Sequence, residues 1–319
     1  MTTPAICSGK PWLDTAGHPI QAHGGSLFYE NGTFYFYGEN KEKTVPGSKF
    51  WHYGVRAYSS PDLYTWKDEG ILLAPVGNDV SHPLHPSRIM DRPHILFNAR
   101  TKKYVMWMKF AGTAEAPNEW NIQSMGVAVA DKFTGPYTFI KTFHPLGMNT
   151  GDFDFYKEAS DGKAYFIFER VHTELVIADL TDDYLGVTGY YSSHFPFPGP
   201  PQTREAPAFF KRGSRYYMIT SGTTGYGPNQ ADYAVSELVH GPWKSMGDPC
   251  IGDTRKTTFD SQVSSVFIHP HKKNLIFAVA DRWNAENNST ATYVWLPLTV
   301  EGETLKMQWR EEWRIEDFE

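Results

Sequence analysis

Arg204 to Gly222 reads REAPAFFKRGSRYYMITSG, and this stretch decides the predicted fold. A charged opening that ends in Glu205 is followed by a short apolar run, a turn at Arg212-Gly213 and a second strand rich in aromatic residues. A glycine turn between two apolar runs is typical of a β-hairpin. We therefore predict two antiparallel strands with the carboxylate of Glu205 at the mouth of the first.

The same plan occurs four more times along the chain. The other segments are His23 to Glu39, Asp91 to Lys109, Asp152 to Glu169 and Ser261 to Asp281. A second, weaker hairpin follows each of the five, beginning at Gly54, Gly126, Leu175, Asp232 and Thr292. Four strands per unit, repeated around a ring, are typical of a β-propeller. We predict an all-β chain in which residues 1–319 form a single five-bladed propeller with four antiparallel strands per blade. We also expect WREEWRIEDF, near the C-terminus, to return and complete a blade.

Composition and charge limit the classes of partner. The chain has 319 residues, of which 40% are hydrophobic and 15% aromatic, with 27 glycines and 22 prolines. This composition is typical of a globular chain with many turns. A formal charge of -6 without any cluster of Lys and Arg argues against nucleic acid or an anionic membrane as a partner. A neutral substrate is more compatible with this charge than an anionic polymer or membrane.

The cysteines and the N-terminus bear on the cellular compartment. Cys7 and Cys250 are too few and too far apart in sequence for a disulfide framework or a metal-binding knuckle. The first residues lack the basic and apolar regions of a signal peptide, and no apolar run approaches the ~20 residues of a membrane span. We expect a cytoplasmic protein, or a secreted one whose signal peptide is absent from this sequence.

The hairpin openings are the candidate functional residues. The first strand of every propeller blade lines the central channel, so these openings should converge at one end of it. The converging residues are His23, Asp91, Asp152, Glu205 and Gln262, with Glu39 one strand outward. Carboxylates around a neutral pocket suit acid–base chemistry on a sugar, where one carboxyl protonates the leaving oxygen and a second group directs water. Any one of these acids is more simply explained as a turn former or the partner of an adjacent arginine, but equivalent positions in five units favour a site.

The aromatic residues and the histidines are further candidates for the site. Most aromatic side chains must belong to the core, and we expect Tyr226 and Trp283 to lie beside a sugar. Further aromatic candidates are Trp51, Trp107 and Trp120. The remaining histidines show no metal-ligand spacing, so no cofactor is predicted.

Taken together, several segments resemble glycoside hydrolase family 43 over nearly the full length of the chain, and within it the branch of exo-acting galactan 1,3-β-galactosidases. These segments are DTAGHPIQAHGGSLFYENGTFYFYGEN, DRPHILFNARTKKYVMWMK, GDFDFYKEASDGKAYFIFER, REAPAFFKRGSRYYMITSGTTGYGPN, FDSQVSSVF and ADRWNAENNSTATYVWLPL. The resemblance implies a five-bladed propeller that cleaves glycosidic bonds with inversion. It also implies that Glu205 is the general acid and that Asp152 raises the pKa of this acid and orients it.

The chain departs from the family pattern at three places. Most of the family opens its first blade with Asp-Pro, whose Asp is the general base, where this chain has His23-Gly24. The galactosidase branch shares this loss and uses a glutamine, here Gln262, which would hold the water or pass a proton through its imidic tautomer. The branch usually has Glu where this chain has Asp91, a change compatible with a different sugar or linkage. The family's central histidine, which often helps to hold a calcium, falls near Gln262, so no bound metal is predicted.

The sequence therefore predicts an inverting, exo-acting glycoside hydrolase that releases terminal galactose from β-1,3-galactan-type glycans. Glu205, Asp152 and Gln262 would be catalytic. The residues expected to bind substrate are Glu39, Asp91, His23, Tyr226, Arg282 and Trp283. One alternative is an α-L-arabinofuranosidase or β-D-galactofuranosidase of the same family, favoured by Asp91. Another is a catalytically inactive carbohydrate-binding propeller, favoured by His23 at the usual position of the base.

Overall fold

The computed structural model describes residues 4–319 and confirms the predicted five-bladed β-propeller. A short strand β1 (Ile6–Cys7) precedes the ring. Blade one consists of β2 (His23–Glu30), β3 (Thr33–Glu39), β4 (Val55–Ser60) and β5 (Lys67–Leu73), and blade two of β6 (Ile89–Asn98), β7 (Lys103–Ala111), β8 (Gln123–Ala130) and β9 (Thr138–Phe143). Blade three consists of β10 (Thr150–Lys157), β11 (Ala164–Arg170), β12 (Glu174–Leu180) and β13 (Val187–His194).

The remaining strands complete the ring and close it. Blade four consists of β14 (Arg204–Arg212), β15 (Arg215–Gly222), β16 (Asp232–Ser236) and β17 (Lys244–Gly247). Before blade five comes β18 (Cys250–Ile251), and the blade itself consists of β19 (Gln262–Ile268), β20 (Ile276–Arg282), β21 (Thr292–Glu301) and β22 (Thr304–Gln308), followed by β23 (Glu312–Trp313). Neighbouring strands are antiparallel within every blade, except that β18 adds to the outer edge of blade five in parallel with β22.

Helical structure is limited to three short 3-10 segments among the described residues, at Pro145–Gly147, Asn288–Thr290 and Ile315–Asp317. Within residues 4–319, no helix has the length and apolar character needed to cross a bilayer.

Hydrophobic packing holds the blades to one another. Residues 4–319 form five buried clusters, and each of them joins two neighbouring blades. Between blades three and four, for example, Tyr165 and Ile177 meet Phe209 and Met218. Because the inner strands are fixed by contacts on both sides, the residues that open them are held in defined positions around the channel.

A β-bulge or similar register shift lies at or near the opening residue of every first strand. The pairing register breaks between His23 and Ser26, Asp91 and His94, Thr150 and Phe153, Glu205 and Ala208, and Val263 and Ser265. In blades one, two and four, the residue just after the opening, Gly24, Arg92 or Ala206, has a positive φ of 58°, 51° or 49°. A bulge re-aims nearby side chains and often lies beside a functional site.

The C-terminal segment does not complete a blade, so that expectation is wrong. Blade five already has its four strands by Gln308, and Ile6 pairs with Trp313 in a separate two-stranded sheet. The buried indole of Trp313 lies in the cluster between blades five and one, and its Nε1 donates to the carbonyl oxygen of Trp295 at 2.7 Å. The two chain ends therefore meet against the junction of the first and last blades.

Replacing Trp313 should weaken this closure. Trp313→Ala removes a buried indole and its hydrogen bond, so we expect it to lower the free energy of unfolding by about 3–5 kcal/mol, measured by urea denaturation. Leu238→Ala, at a side chain that is 63% exposed, is the control and should change it by less than about 0.5 kcal/mol. Equal stability of the two variants would show that the ring closes without the contacts of Trp313.

Candidate active site

A cavity of about 430 Å³ lies at the end of the channel where the first strands begin. Residues from all five blades line it. The sequence-predicted residues among them are Glu39, Asp91, Asp152, Glu205, Tyr226, Gln262 and Trp283. The prediction that the hairpin openings converge therefore holds for four of the five, namely Asp91, Asp152, Glu205 and Gln262.

His23 lies outside this lining. Its side chain is fully buried, Nδ1 lies 3.1 Å from Oδ1 of Asp281, and the ring stacks on Tyr293. With no exposed surface, His23 cannot contact a sugar, and its assignment to substrate binding is wrong. Its contacts instead tie blade one to blade five.

Arg282 also points away from the cavity. Its guanidinium donates to the carbonyl oxygens of Phe259 at 2.8 Å and Asp260 at 3.1 Å, and it lies over the ring of Trp309. It lines only a smaller neighbouring cavity of about 80 Å³. Successive residues of a strand point to opposite faces, so on β20 Asp281 faces His23 and Arg282 faces the other side. The prediction that it borders the sugar is not supported.

Asp152 is held by two cations that sequence reasoning missed. Nζ of Lys109 lies 2.6 Å from Oδ1, and Nε of Arg92 lies 2.8 Å from Oδ2. Burial by itself would raise the pKa of Asp152, but the charges of Arg92 and Lys109 hold it below its ordinary value. Asp152 is therefore a fixed negative charge.

Asp91 is engaged at both oxygens. Oδ1 accepts a hydrogen bond from Nε1 of Trp51 at 2.6 Å, and Oδ2 lies 3.3 Å from Nζ of Lys109. Burial opposes ionisation of this carboxyl, but Lys109, Lys41 and Trp51 together hold its pKa below the ordinary value. A sugar hydroxyl at Asp91 would have to share the carboxylate with these partners.

Glu39 occupies space that a glycine leaves open. Its Oε1 accepts from the backbone N–H of Arg92 at 2.9 Å, and Oε2 lies 2.7 Å from the fully buried Nζ of Lys41. A Cβ on Gly24 would lie 2.4 Å from Oε1, and the positive φ of Gly24 also excludes proline. At the position where most of the family has Asp-Pro, this chain has His23-Gly24. The space beside Gly24 is occupied by the carboxylate of Glu39, from the second strand of the blade.

Glu205 is the carboxyl without a cation. It is the second residue of β14, is partly exposed, and makes no ion pair with any described residue. Among residues 4–319, its side chain has one hydrogen bond, in which Nε2 of Gln262 donates to Oε1 at 3.4 Å. Desolvation raises the pKa of Glu205 well above its ordinary value, and the negative charges of Asp152 and Glu169 raise it further.

Glu169 and His172 form a pair in the cavity wall that sequence reasoning missed. Oε1 of Glu169 lies 2.6 Å from Nδ1 of His172, and the Glu169 side chain is only 1% exposed. A Cβ on Gly151 would lie 2.1 Å from Oε2 of Glu169, so blade three repeats the glycine and glutamate arrangement of blade one. Because Glu39 and Glu169 both come at or near the end of a second strand, this shared position was the signal that could have identified Glu169.

Gln262 is bonded at both ends of its amide. Oε1 accepts from Nη2 of Arg92 and from Nε1 of Trp283, the latter at 3.2 Å. Nε2 donates to Oγ of Ser221 at 2.9 Å and faces Glu205. The protein therefore fixes the orientation of this amide.

Aromatic rings form an arc around the cavity. Trp51 lies 5.5 Å from Trp120 and 6.2 Å from Tyr226, and Tyr226 lies 5.4 Å from Trp283, all between ring centroids. Trp51 and Trp120 are thus site residues, whereas Trp107 is fully buried in the core between blades two and three. Among residues 4–319, no group of three or more His, Cys, Asp or Glu side chains is placed to hold a metal ion.

A cavity whose surroundings lower the pKa of one carboxyl, Asp152, and raise that of another, Glu205, on the neighbouring blade is suited to acid–base chemistry. The model of the glycosyl hydrolases family 43 matches residues 18–292. The chain belongs to this family and is therefore a glycoside hydrolase, as its sequence predicts.

Solved structures of known enzymes resemble this chain closely. A GH43 β-1,3-galactosidase is 31% identical with a TM-score of 0.88; the match covers 99% of this chain, which spans only 65% of that one. A second GH43 β-1,3-galactosidase, solved with galactodeoxynojirimycin, is 33% identical with a TM-score of 0.87 over 97% of this chain and 100% of that one. An exo-β-1,3-galactanase from Phanerochaete chrysosporium, solved with β-1,3-galactotriose, is 27% identical with a TM-score of 0.84 over 98% and 68%. A search of curated proteins found no match.

The pairing of Lys41 with Glu39 predicts a pH-dependent loss of stability. Burial raises the pKa of Glu39 from 4.5 to about 7, although Lys41 opposes this shift. Lys41→Met leaves the carboxylate without its cation, so we expect a loss of about 3–5 kcal/mol at pH 8, measured by urea denaturation. At pH 5 the loss should be smaller, because Glu39 is then protonated in the folded protein. Lys306→Met, on the exposed face of β22, is the control; equal losses for Lys41→Met at both pH values would contradict the pairing.

Proposed function

We propose that this protein releases terminal galactose from β-1,3-galactan-type glycans, with inversion and with Glu205 as the general acid. The observation that carries this proposal is the distribution of cations: Asp91, Asp152 and Glu39 each form an ion pair with at least one lysine, and Glu205 forms none with any described residue. Pairs of carboxyls whose environments separate their pKa values are typical of acid–base catalysis. The β-1,3-galactosidases and the exo-galactanase that this chain resembles support the choice of substrate.

In the proposed reaction, Glu205 begins protonated and donates its proton to the glycosidic oxygen as the bond to the anomeric carbon breaks. The ionised Asp152 favours this starting state, because its negative charge raises the pKa of Glu205. Arg92 and Lys109 act in the opposite direction and lower that pKa, so they stabilise the glutamate that forms when the proton has left. These surroundings thus favour the protonated acid before the reaction and stabilise the carboxylate that forms in it.

Gln262 is the proposed water-positioning residue. Inverting glycosidases keep about 6.5–9.5 Å between the acid and the group that directs water. Here Gln262 touches Glu205, so the sugar ring must enter between them and break this contact. Arg92 and Trp283 both donate to Oε1, and an imidic hydroxyl at that oxygen would lose one of these bonds. These contacts favour the ordinary amide, holding the water in place, over a proton relay.

The cavity supports an exo mode of action. Its aromatic arc and its carboxylates Glu39 and Asp91 line one cavity at the end of the channel, where a terminal sugar could stack on a ring and bond a carboxylate through its hydroxyls. A furanosidase of the same family is the second candidate, because Asp91 is short and both of its oxygens already have partners. A five-membered ring would place its hydroxyls differently against this carboxylate.

Substrate panels separate these candidates. Aryl β-galactosides, aryl furanosides and β-1,3-galactooligosaccharides should be incubated with the protein and the product anomer followed by NMR. Release of α-galactose from the β-linked substrates supports the proposal, and cleavage of furanosides alone supports the second candidate. Release of β-galactose from a β-galactoside would contradict inversion, and binding of a sugar without any cleavage would indicate an inactive carbohydrate-binding propeller.

Glu205→Gln should abolish most turnover while preserving binding. We expect kcat on β-1,3-galactobiose to fall by about 10²–10⁴-fold, because the amide cannot protonate the leaving oxygen. A 2,4-dinitrophenyl galactoside, whose leaving group needs little protonation, should lose far less, and galactose should bind with similar affinity by calorimetry. Glu237→Gln, at a side chain that is 81% exposed, is the matched control. Full activity of Glu205→Gln on galactobiose would refute the assignment of the acid.

A further inference from the structure

Four blades contribute a long loop to the wall of the cavity, and one blade contributes only a short turn. On the face where the first strands begin, the second and third strands of each blade are joined by a loop. In blades one, two, four and five, these loops are residues 40–54, 112–122, 223–231 and 283–291, and each contributes an aromatic ring to the arc. Blade three has only residues 171–173, which we call the blade-three turn.

A polar side chain faces the cavity at this turn. His172 lines the cavity and is 18% exposed, while its Nδ1 is fixed by Glu169 in the wall. Nε2, on the opposite edge of the ring, has no hydrogen-bond partner among residues 4–319. The ring is therefore held in one orientation with a free polar atom, as in a preorganised binding contact.

The charges around His172 are consistent with a hydrogen-bond donor. Glu169 raises the pKa of His172, burial opposes this, and Lys109 and Asp152 act with smaller and opposite effects. Glu169 also lies near enough to Glu205 to raise the pKa of the acid. Blade three packs against blade four, which carries Glu205, so the blade-three turn is on the side of the cavity next to the proposed acid.

Next to the turn, on the side away from the cavity, lies an exposed aromatic side chain. The backbone N–H of Phe197 donates to the carbonyl oxygen of Thr173 at 2.8 Å, which anchors the loop of residues 195–203 beside the turn. The ring of Phe197 is 39% exposed. A glycan crossing the wall here would meet a polar contact first and an aromatic surface next.

We propose that the leaving-group part of the substrate crosses the wall at the blade-three turn, where Nε2 of His172 hydrogen-bonds the sugar next to the cleaved galactose. This assignment rests on the proposed function. It makes His172 a specificity residue for oligosaccharides over galactosides with a non-sugar leaving group. Glu169 is its positioning residue.

The experiment compares two substrates that differ only on the leaving-group side. β-1,3-galactobiose carries the second sugar and 4-nitrophenyl β-galactoside does not. In His172→Ala, we expect the loss of kcat/KM on galactobiose to exceed the loss on the aryl galactoside about tenfold, as for one hydrogen bond, and to fall mainly on KM. His172→Gln, which can place a donor near Nε2, should recover part of the loss. His18→Ala, at a side chain that is 75% exposed, is the matched control.

Three results would overturn the inference. Equal losses on both substrates would show that His172 acts through Glu205 or through folding, and would overturn the inference while leaving the proposed function intact. Full activity of His172→Ala on galactobiose would also overturn it. If the wild-type protein cleaves neither galactoside, the proposed function fails and this assignment fails with it.

Discussion

Lys109 lies between Asp91 and Asp152, and the charge balance of the cavity depends on this position. Its Nζ is 3.3 Å from one carboxylate and 2.6 Å from the other. Buried carboxylates are stable only when cations or hydrogen-bond donors compensate them, so Lys109, with Arg92, keeps two negative charges in the channel. Glu205, on the neighbouring blade, lies close to these charges but receives no cation of its own.

Backbone conformation places the carboxylates within reach of one another. In blades two and four, the strand that begins with a bulge carries Asp91 or Glu205 into the cavity lining, and glycines leave room for carboxylates at or near the ends of second strands. Gly24 makes room for Glu39, and Gly151 makes room for Glu169. The absence of the usual base at the first blade is therefore part of a packing arrangement in which His23 turns inward to the protein core.

Much of this could be predicted from the sequence, because propeller symmetry brings equivalent positions together. The openings at Asp152 and Glu205 were identified from a repeated hairpin pattern alone. The pattern could not show which face a residue takes after a bulge, and this is why His23 was misassigned. Nor could it show contacts between distant loops, such as the bond from Trp51 to Asp91, or that His172 lines the same cavity as Glu205.

The surroundings of Glu205 should keep it protonated at pH values where an ordinary glutamate is ionised. The direct measurement is a pH titration of side-chain carboxyl carbons by NMR on protein labelled with ¹³C-glutamate, with the signal of Glu205 assigned from its absence in Glu205→Gln. We predict a pKa well above 4.5 for Glu205. A titration of this carboxyl near 4.5 would contradict its assignment as the proton donor.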